Sequence, residues 1–122
     1  MAMASKRLGS LIVSVHDSVH PTDKEWDALL PLIRGAYGAL VYTSGGGPNS
    51  AQRKRAAEHG LTALRSAVLT TSAFARGVVT ALSWIGASDT RAFAPNQVEE
   101  ALNFLNVPAS DRSEVLATLE RL

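Results

Sequence analysis

Four times along this chain a short β-rich apolar run gives way to turn residues and then to a helix with a start signal. That alternation constrains the fold more than any other feature. Strands separated by helices pair in parallel, and right-handed crossovers lay the helices against the sheet. The runs are Ser10 to His16, Ala39 to Thr43, Ser66 to Thr70 and Thr90 to Ala94. The expected architecture is α/β: a four-stranded, mainly parallel sheet built from four βα turns, plus an extra C-terminal helix. With 122 residues, 46% of them hydrophobic, the chain suits one domain with an ordinary core. Residues 1–9 (MAMASKRLG) read as a flexible N-terminal leader and residues 10–122 as a single domain.

The helix starts have a mechanism. Thr22 with Glu25 and Asn49 with Gln52 form capping boxes, in which side chain and backbone N–H groups satisfy each other three residues apart. Asn96 with Glu99 offers a third. Behind the first box, Trp26, Leu29, Leu30 and Ile33 recur at helical spacing and point to the core. Pro31 sits within that pattern, so a kink or an early end is expected. The second helix carries Arg53-Lys54-Arg55 and ends near Gly60. Ser72 is positioned to cap a third, with Phe74, Val78, Val79, Leu82 and Ile85 inward. Its apolar circumference marks it as the most buried helix. Pro108 breaks the chain, and Ser110 is the expected cap of a last helix with Val115, Leu116, Leu119 and Leu122 on one stripe. Trp26 and Trp84 both read as packing residues.

Several function classes drop out. The chain has no cysteine, which excludes disulfides, thiolate metal sites, iron–sulfur clusters and a cysteine nucleophile. Lys plus Arg is 12 and Asp plus Glu is 11, a formal charge of +1, so no nucleic acid partner is expected. The run Leu11-Ile12-Val13 behind Lys6 and Arg7 is cut short by Ser14, His16 and Asp17, too early for a secretory signal. No stretch approaches the roughly 20 apolar residues of a membrane helix. The expectation is a soluble cytoplasmic protein with no cofactor.

In an open parallel sheet, ligands bind beyond the carboxyl ends of the strands. That edge collects His16-Asp17-Ser18, Thr43-Ser44-Gly45-Gly46-Gly47, Thr70-Thr71-Ser72 and Pro95-Asn96. The Gly-rich loop is the sharpest local feature. Bare glycines let backbone N–H groups turn to an anion at a helix N-terminus, and Arg53 lies one turn into that helix. The loop is neither a P-loop nor a dinucleotide fingerprint, and GGGP is also a plain tight turn. His16, Asp17 and His20 are candidate metal ligands, but no fourth ligand is marked, so no metal is expected. His16 as general base with Ser44 or Ser72 as nucleophile is a candidate pairing. The candidate binding residues are Thr43, Ser44, Gly45, Gly46, Gly47, Ser50, Arg53, His16, Asp17 and Ser72.

The segment Ser66 to Leu105 also carries a family likeness. SAVLTTSAFARGVVTALSWIG followed by TRAFAPNQVEEALNFL resembles the second half of SpoIIAA-like (STAS-type) domains. The matching residues are Arg91, Phe93, Glu99, Glu100, Ala101, Leu102, Phe104 and Leu105. The first half matches in order and spacing. The resemblance implies four βα turns and a regulatory or protein-interaction role, not catalysis. It also implies a phosphorylated serine in an Asp-x-Ser motif after a central strand. The matching place is Thr43 to Ser50, where Asp-x-Ser is absent and Ser44 and Ser50 are the serines present. Small apolar or lipid-like ligands are a further implication of the likeness.

The leading expectation is a non-enzymatic module that binds another protein through the strand-end loops. A small-ligand or anion-binding protein is the alternative, with a concave pocket bounded by His16, Ser44 and Ser72. A self-assembling, homo-oligomeric subunit built on the Leu116–Leu119–Leu122 stripe is the third.

Overall fold

Strand positions alternate between two apolar faces, and that alternation sets the layers. The computed structural model describes residues 3–60, 64–73, 77 and 89–122. Five strands form one sheet in the order β1 (Met3–Leu8), β2 (Leu11–His16), β3 (Gly38–Thr43), β4 (Arg65–Thr70), β5 (Asp89–Phe93). β1 runs antiparallel to β2, and the other three pairings are parallel. Each expected strand lies within one residue of its observed limits.

The helices are α1 (Asp23–Ile33), α2 (Ser50–Glu58), α3 (Val98–Phe104) and α4 (Arg112–Arg121), with short 3-10 turns at Pro95–Gln97 and Ala109–Asp111. Because β2 to β5 are laid down in sequence order, crossovers of one hand fall on one face. α1 and α2 accordingly share a face, burying Trp26, Leu29, Leu30, Ile33 and Ala56 against Ile12 and Ala39. After β5 the chain returns over the other face. There Ala101, Leu102, Leu105, Val107 and Val115 cover Leu11, Val13, Leu40, Ala67 and Leu69. Each such leucine, fully buried, contributes about 1.5–3 kcal/mol. Leu116 and Leu119 pack against this cluster, so most of the C-terminal stripe is core, and Leu122 alone of it is exposed.

Two expectations are corrected here. The sheet has five strands, not four, and the fifth is made from residues 3–8, read from sequence as part of a flexible leader. β1 is held by its neighbours. Its backbone N–H at Met3 donates to Glu25 Oε2 at 3.2 Å, and Ser5 Oγ lies 2.8 Å from Ser14 Oγ. Arg7 donates to the carbonyls of Leu32 and Arg34 at the end of α1, where a cation suits the helix dipole. Pro31 sits in the last turn of α1, which ends two residues later. Both edge strands carry an exposed cation, Lys6 on β1 and Arg91 on β5, a device that discourages edge-to-edge pairing.

The capping boxes at Thr22–Glu25 and Asn49–Gln52 are both formed. The Asn96–Glu99 box is not. Pro95 opens a 3-10 turn instead, and the Gln97 side chain accepts from the Ala94 N–H at 2.8 Å. Ser110 likewise lies in a 3-10 turn, and α4 starts at Arg112 without a side-chain cap. α3 ends in a Schellman motif: Val107 N–H bonds Leu102 O, Asn106 N–H bonds Asn103 O, and Asn106 takes φ 58°. The expected helix from Ser72 through Ile85, with Trp84, lies outside the described residues beyond Ala73 and Gly77.

Candidate functional site

The carboxyl ends of β2, β3 and β4 stand in register, so His16, Thr43 and Thr70 form one cross-strand row. All three are buried, on the face covered by α1 and α2. Each threonine hydroxyl shapes the loop that follows it. Thr43 Oγ1 accepts from Gly45 N–H at 3.0 Å and donates to Gly46 O at 2.5 Å. Thr70 Oγ1 accepts from Ser72 N–H at 3.0 Å. Such side-chain bonds fix a strand-to-loop turn without a helix or ladder partner.

The loop after β3 is tied to the loop after β2. Ser44 N–H bonds His16 O at 3.2 Å and Gly46 N–H bonds Asp17 O at 2.9 Å. His20 Nδ1 pairs with Gly47 O. A Cβ at Gly46 would collide with the carbonyl oxygens of Asp17 and Val19, while one at Gly47 would meet open space. Gly46 is therefore required by close approach of two backbones. Val19, at the centre of this join, is 57% exposed.

Arg53 is drawn into the same structure. Its guanidinium donates to Pro48 O at 3.0 Å and to Ser50 Oγ at 3.1 Å. The cation that sequence reading offered to an anion thus closes the loop ahead of α2. Behind it, Gln52 is buried and donates to Pro21 O and Asp23 Oδ1, while its carbonyl accepts from Trp26 Nε1 at 2.8 Å. That bond locks α1 to α2 under the loops.

His16 is held differently from a surface base. Its Nε2 lies 3.3 Å from Ser14 Oγ, which continues to Ser5, and its Nδ1 is buried without a hydrogen-bond partner. Burial pushes its pKa down to about 4, against a smaller opposing pull from the Glu25 carboxylate. The imidazole is neutral at pH 7 and bonded to Ser14 rather than to Ser44 or Ser72. Ser72 sits beside Gly45.

A shallow hollow of about 270 Å³ opens at this end, lined by Met3, Ala4, Val15, His16, Asp17, Ser44 and Leu122. It unites three of the candidate residues, His16, Asp17 and Ser44; Ser72 is not among its walls. A second hollow, of about 430 Å³, lies at the opposite end of the strands beside Tyr37, Leu105 and Pro108, remote from every candidate residue. Among the described residues no group of three or more His, Asp or Glu is arranged to hold a metal ion, and no helix is long and apolar enough to cross a membrane.

Ser5, Ser14, Gln52 and Thr70 are not among the candidate binding residues; sequence alone marks Gln52 only as part of a capping box and Thr70 only as a strand end. The available signal was polarity at inward strand positions: Ser14 and His16 alternate with the apolar Ile12 on one face of β2.

No family model matches the chain, and no curated protein matches it. Among solved structures it is similar to an uncharacterized protein of the DUF3478 family with a SpoIIAA-like fold, from Shewanella loihica PV-4. The two share 13% identity and a TM-score of 0.60, over 85% of this chain and 92% of that one. At that identity the likeness speaks for the fold alone.

Proposed function

Taking the SpoIIAA-like α/β fold of this chain as premise, we propose that it is a non-enzymatic regulatory or protein-interaction module. Its working surface is the pair of loops at 17–20 and 44–50. Fold does not carry function, so the reading rests on the site. The observation that carries it is the join between the two loops through Gly46, which presents Val19 on a fixed platform. A preformed surface costs less ordering entropy on binding. Support also comes from how the reactive groups are used. Thr43 and Arg53 shape the loop, and His16 is neutral and bonded to Ser14.

The test compares wild type, Val19→Asp and Tyr37→Ala as tagged baits in native cells, with captured proteins quantified by mass spectrometry. The reading expects one set of proteins to be retained by Tyr37→Ala and lost with Val19→Asp at unchanged melting temperature. Equal capture by all three baits would overturn it.

The hollow beside His16 favours a second reading, a small-ligand site. Asp17 is the one charged side chain in its described walls, which favours a neutral ligand over an anion. A thermal-shift panel of neutral metabolites and anions separates these, and no shift with any member removes the reading.

A further inference from the structure

We propose that β1 is an exchangeable strand: in a second state it leaves its own β2 and completes the sheet of a second copy of this chain. Three observations carry this. First, the attachment of β1 is mostly polar. Its apolar hold is limited to two side chains, the buried Met3 and Leu8, which packs partly buried on the core. The rest of its hold is the ladder to β2, the Met3–Glu25 bond, the Ser5–Ser14 contact and the Arg7 bonds to Leu32 O and Arg34 O. In the exchanged pair each of these is remade against the second copy.

Second, the connection is a hinge of two residues. Gly9 and Ser10 join β1 to β2; Gly9 takes φ 58°, a Cβ there would meet nothing within 4 Å, and its one side-chain tie is the exposed bond from Arg7 Nε to its carbonyl at 2.7 Å. Extending those two residues turns 3–16 into one continuous strand. Two such strands, crossing at Gly9 and Ser10, give a closed two-fold pair of the strand-swapped kind.

Third, the vacated edge of β2 suits this strand and no generic one. An incoming strand must bring an apolar side chain opposite His16, a hydroxyl opposite Ser14 and a long cation opposite Ile12 that reaches the end of α1. Met3, Ser5 and Arg7 occupy those register positions, and only another copy is certain to supply all three. Simple addition of a strand outside β1 is opposed by Lys6, so exchange is the favoured route to a strand-paired dimer.

The experiment uses the full chain with Ala4→Cys and Val15→Cys, which are cross-strand partners. Since the chain has no cysteine, one disulfide type is available. The protein is held at graded concentrations, separated by light scattering into monomer and dimer, oxidised, and run on a non-reducing gel. Monomer should give an internal disulfide and dimer a covalent dimer. In an otherwise cysteine-free chain, Gly9→Val disfavours the left-handed turn and should raise the dimer fraction about tenfold. Gly9→Asn, which tolerates that conformation, should leave it near wild type. Two results would each overturn the proposal: folded monomer alone at every concentration in both wild type and Gly9→Val, or a dimer whose disulfides are all internal.

Discussion

The two faces of the sheet are built by different rules. Under α3 and α4 the buried strand side chains among the described residues are apolar, namely Leu11, Val13, Leu40, Ala67 and Leu69, and the exposed Arg65 and Arg91 stack on Phe104 at the margin. Neither helix has a side-chain N-cap. They are joined by Arg112, which bonds Glu99, Asn103 and the carbonyl of Val107. Under α1 and α2 the apolar cluster stops short of the carboxyl ends of the strands. There the inward positions turn polar, as Ser14, His16, Thr43 and Thr70, and both helices carry complete capping boxes. One face gains its stability from burial. The other gives up part of its burial to hold two loops in a fixed shape. The candidate surface lies at the end of the second face, where polar groups already specify backbone geometry.

The largest expected effect is on the apolar face. Leu102 is fully buried there, and Leu102→Ala leaves a cavity costing about 3–5 kcal/mol. Urea denaturation should show the full loss with an unchanged m value. The polar face should respond to pH instead. His16 has a folded pKa of about 4 against 6.5 when unfolded. Above pH 6.5 both states are neutral, and its contribution is intact. As pH falls below 6.5 the unfolded state takes up a proton that the folded state refuses, so stability declines until pH 4, by roughly 3 kcal/mol in all. Denaturation curves for wild type and His16→Gln at pH 7 and pH 5 isolate this contribution. The wild type should lose about 2 kcal/mol more than the variant. Equal losses would mean that His16 titrates normally in the folded chain.

Trp26→Phe tests the tie between the two helices of the polar face. It keeps an aromatic ring but removes the five-membered ring with the N–H that bonds Gln52 O. The carbonyl keeps its place in the ladder of α2, so the loss is the inter-helix bond and part of a buried ring, about 1–3 kcal/mol. A stability change below a few tenths would show that neither contributes to the tie.

How much of this was legible in the sequence follows from which forces act locally. β2 to β4 announce themselves because β-branched and apolar residues favour a half-buried pleat wherever they fall. β1 does not. Met3-Ala4-Ser5-Lys6-Arg7-Leu8 has no β-branched residue, and it is a strand because Glu25, Ser14 and the end of α1, far along the chain, hold it there. The loop positions of the candidate site were legible from the carboxyl-end rule. Their roles were not. Gly46 looks like an anion cradle until the loop after β2 is placed against it, and Arg53 looks free until Pro48 O and Ser50 are placed beside it. Those contacts are tertiary and leave no periodic trace.

The smallest expected effect puts the contrast between the faces at a single residue type. Asn49 and Asn96 are each followed three residues later by a side chain that completes a capping box, and sequence alone treats them alike. On the polar face Asn49 Oδ1 accepts from Gln52 N–H at 2.9 Å and Gln52 Oε1 accepts from Asn49 N–H at 3.0 Å. On the apolar face Asn96 is exposed within the 3-10 turn Pro95–Gln97, and the Gln97 side chain accepts from the N–H of Ala94 just before it. Asn49→Ala removes a working cap and should cost about 1 kcal/mol. Asn96→Ala removes no cap and should fall within about 0.5 kcal/mol of wild type. Thermal melts of the two variants side by side decide it, and equal costs would place a working cap on the apolar face after all. Because α2 begins beside the Thr43–Pro48 loop, the Asn49→Ala loss should also loosen that loop, seen as faster amide exchange at Gly45 and Gly46 with exchange at Val107 unchanged.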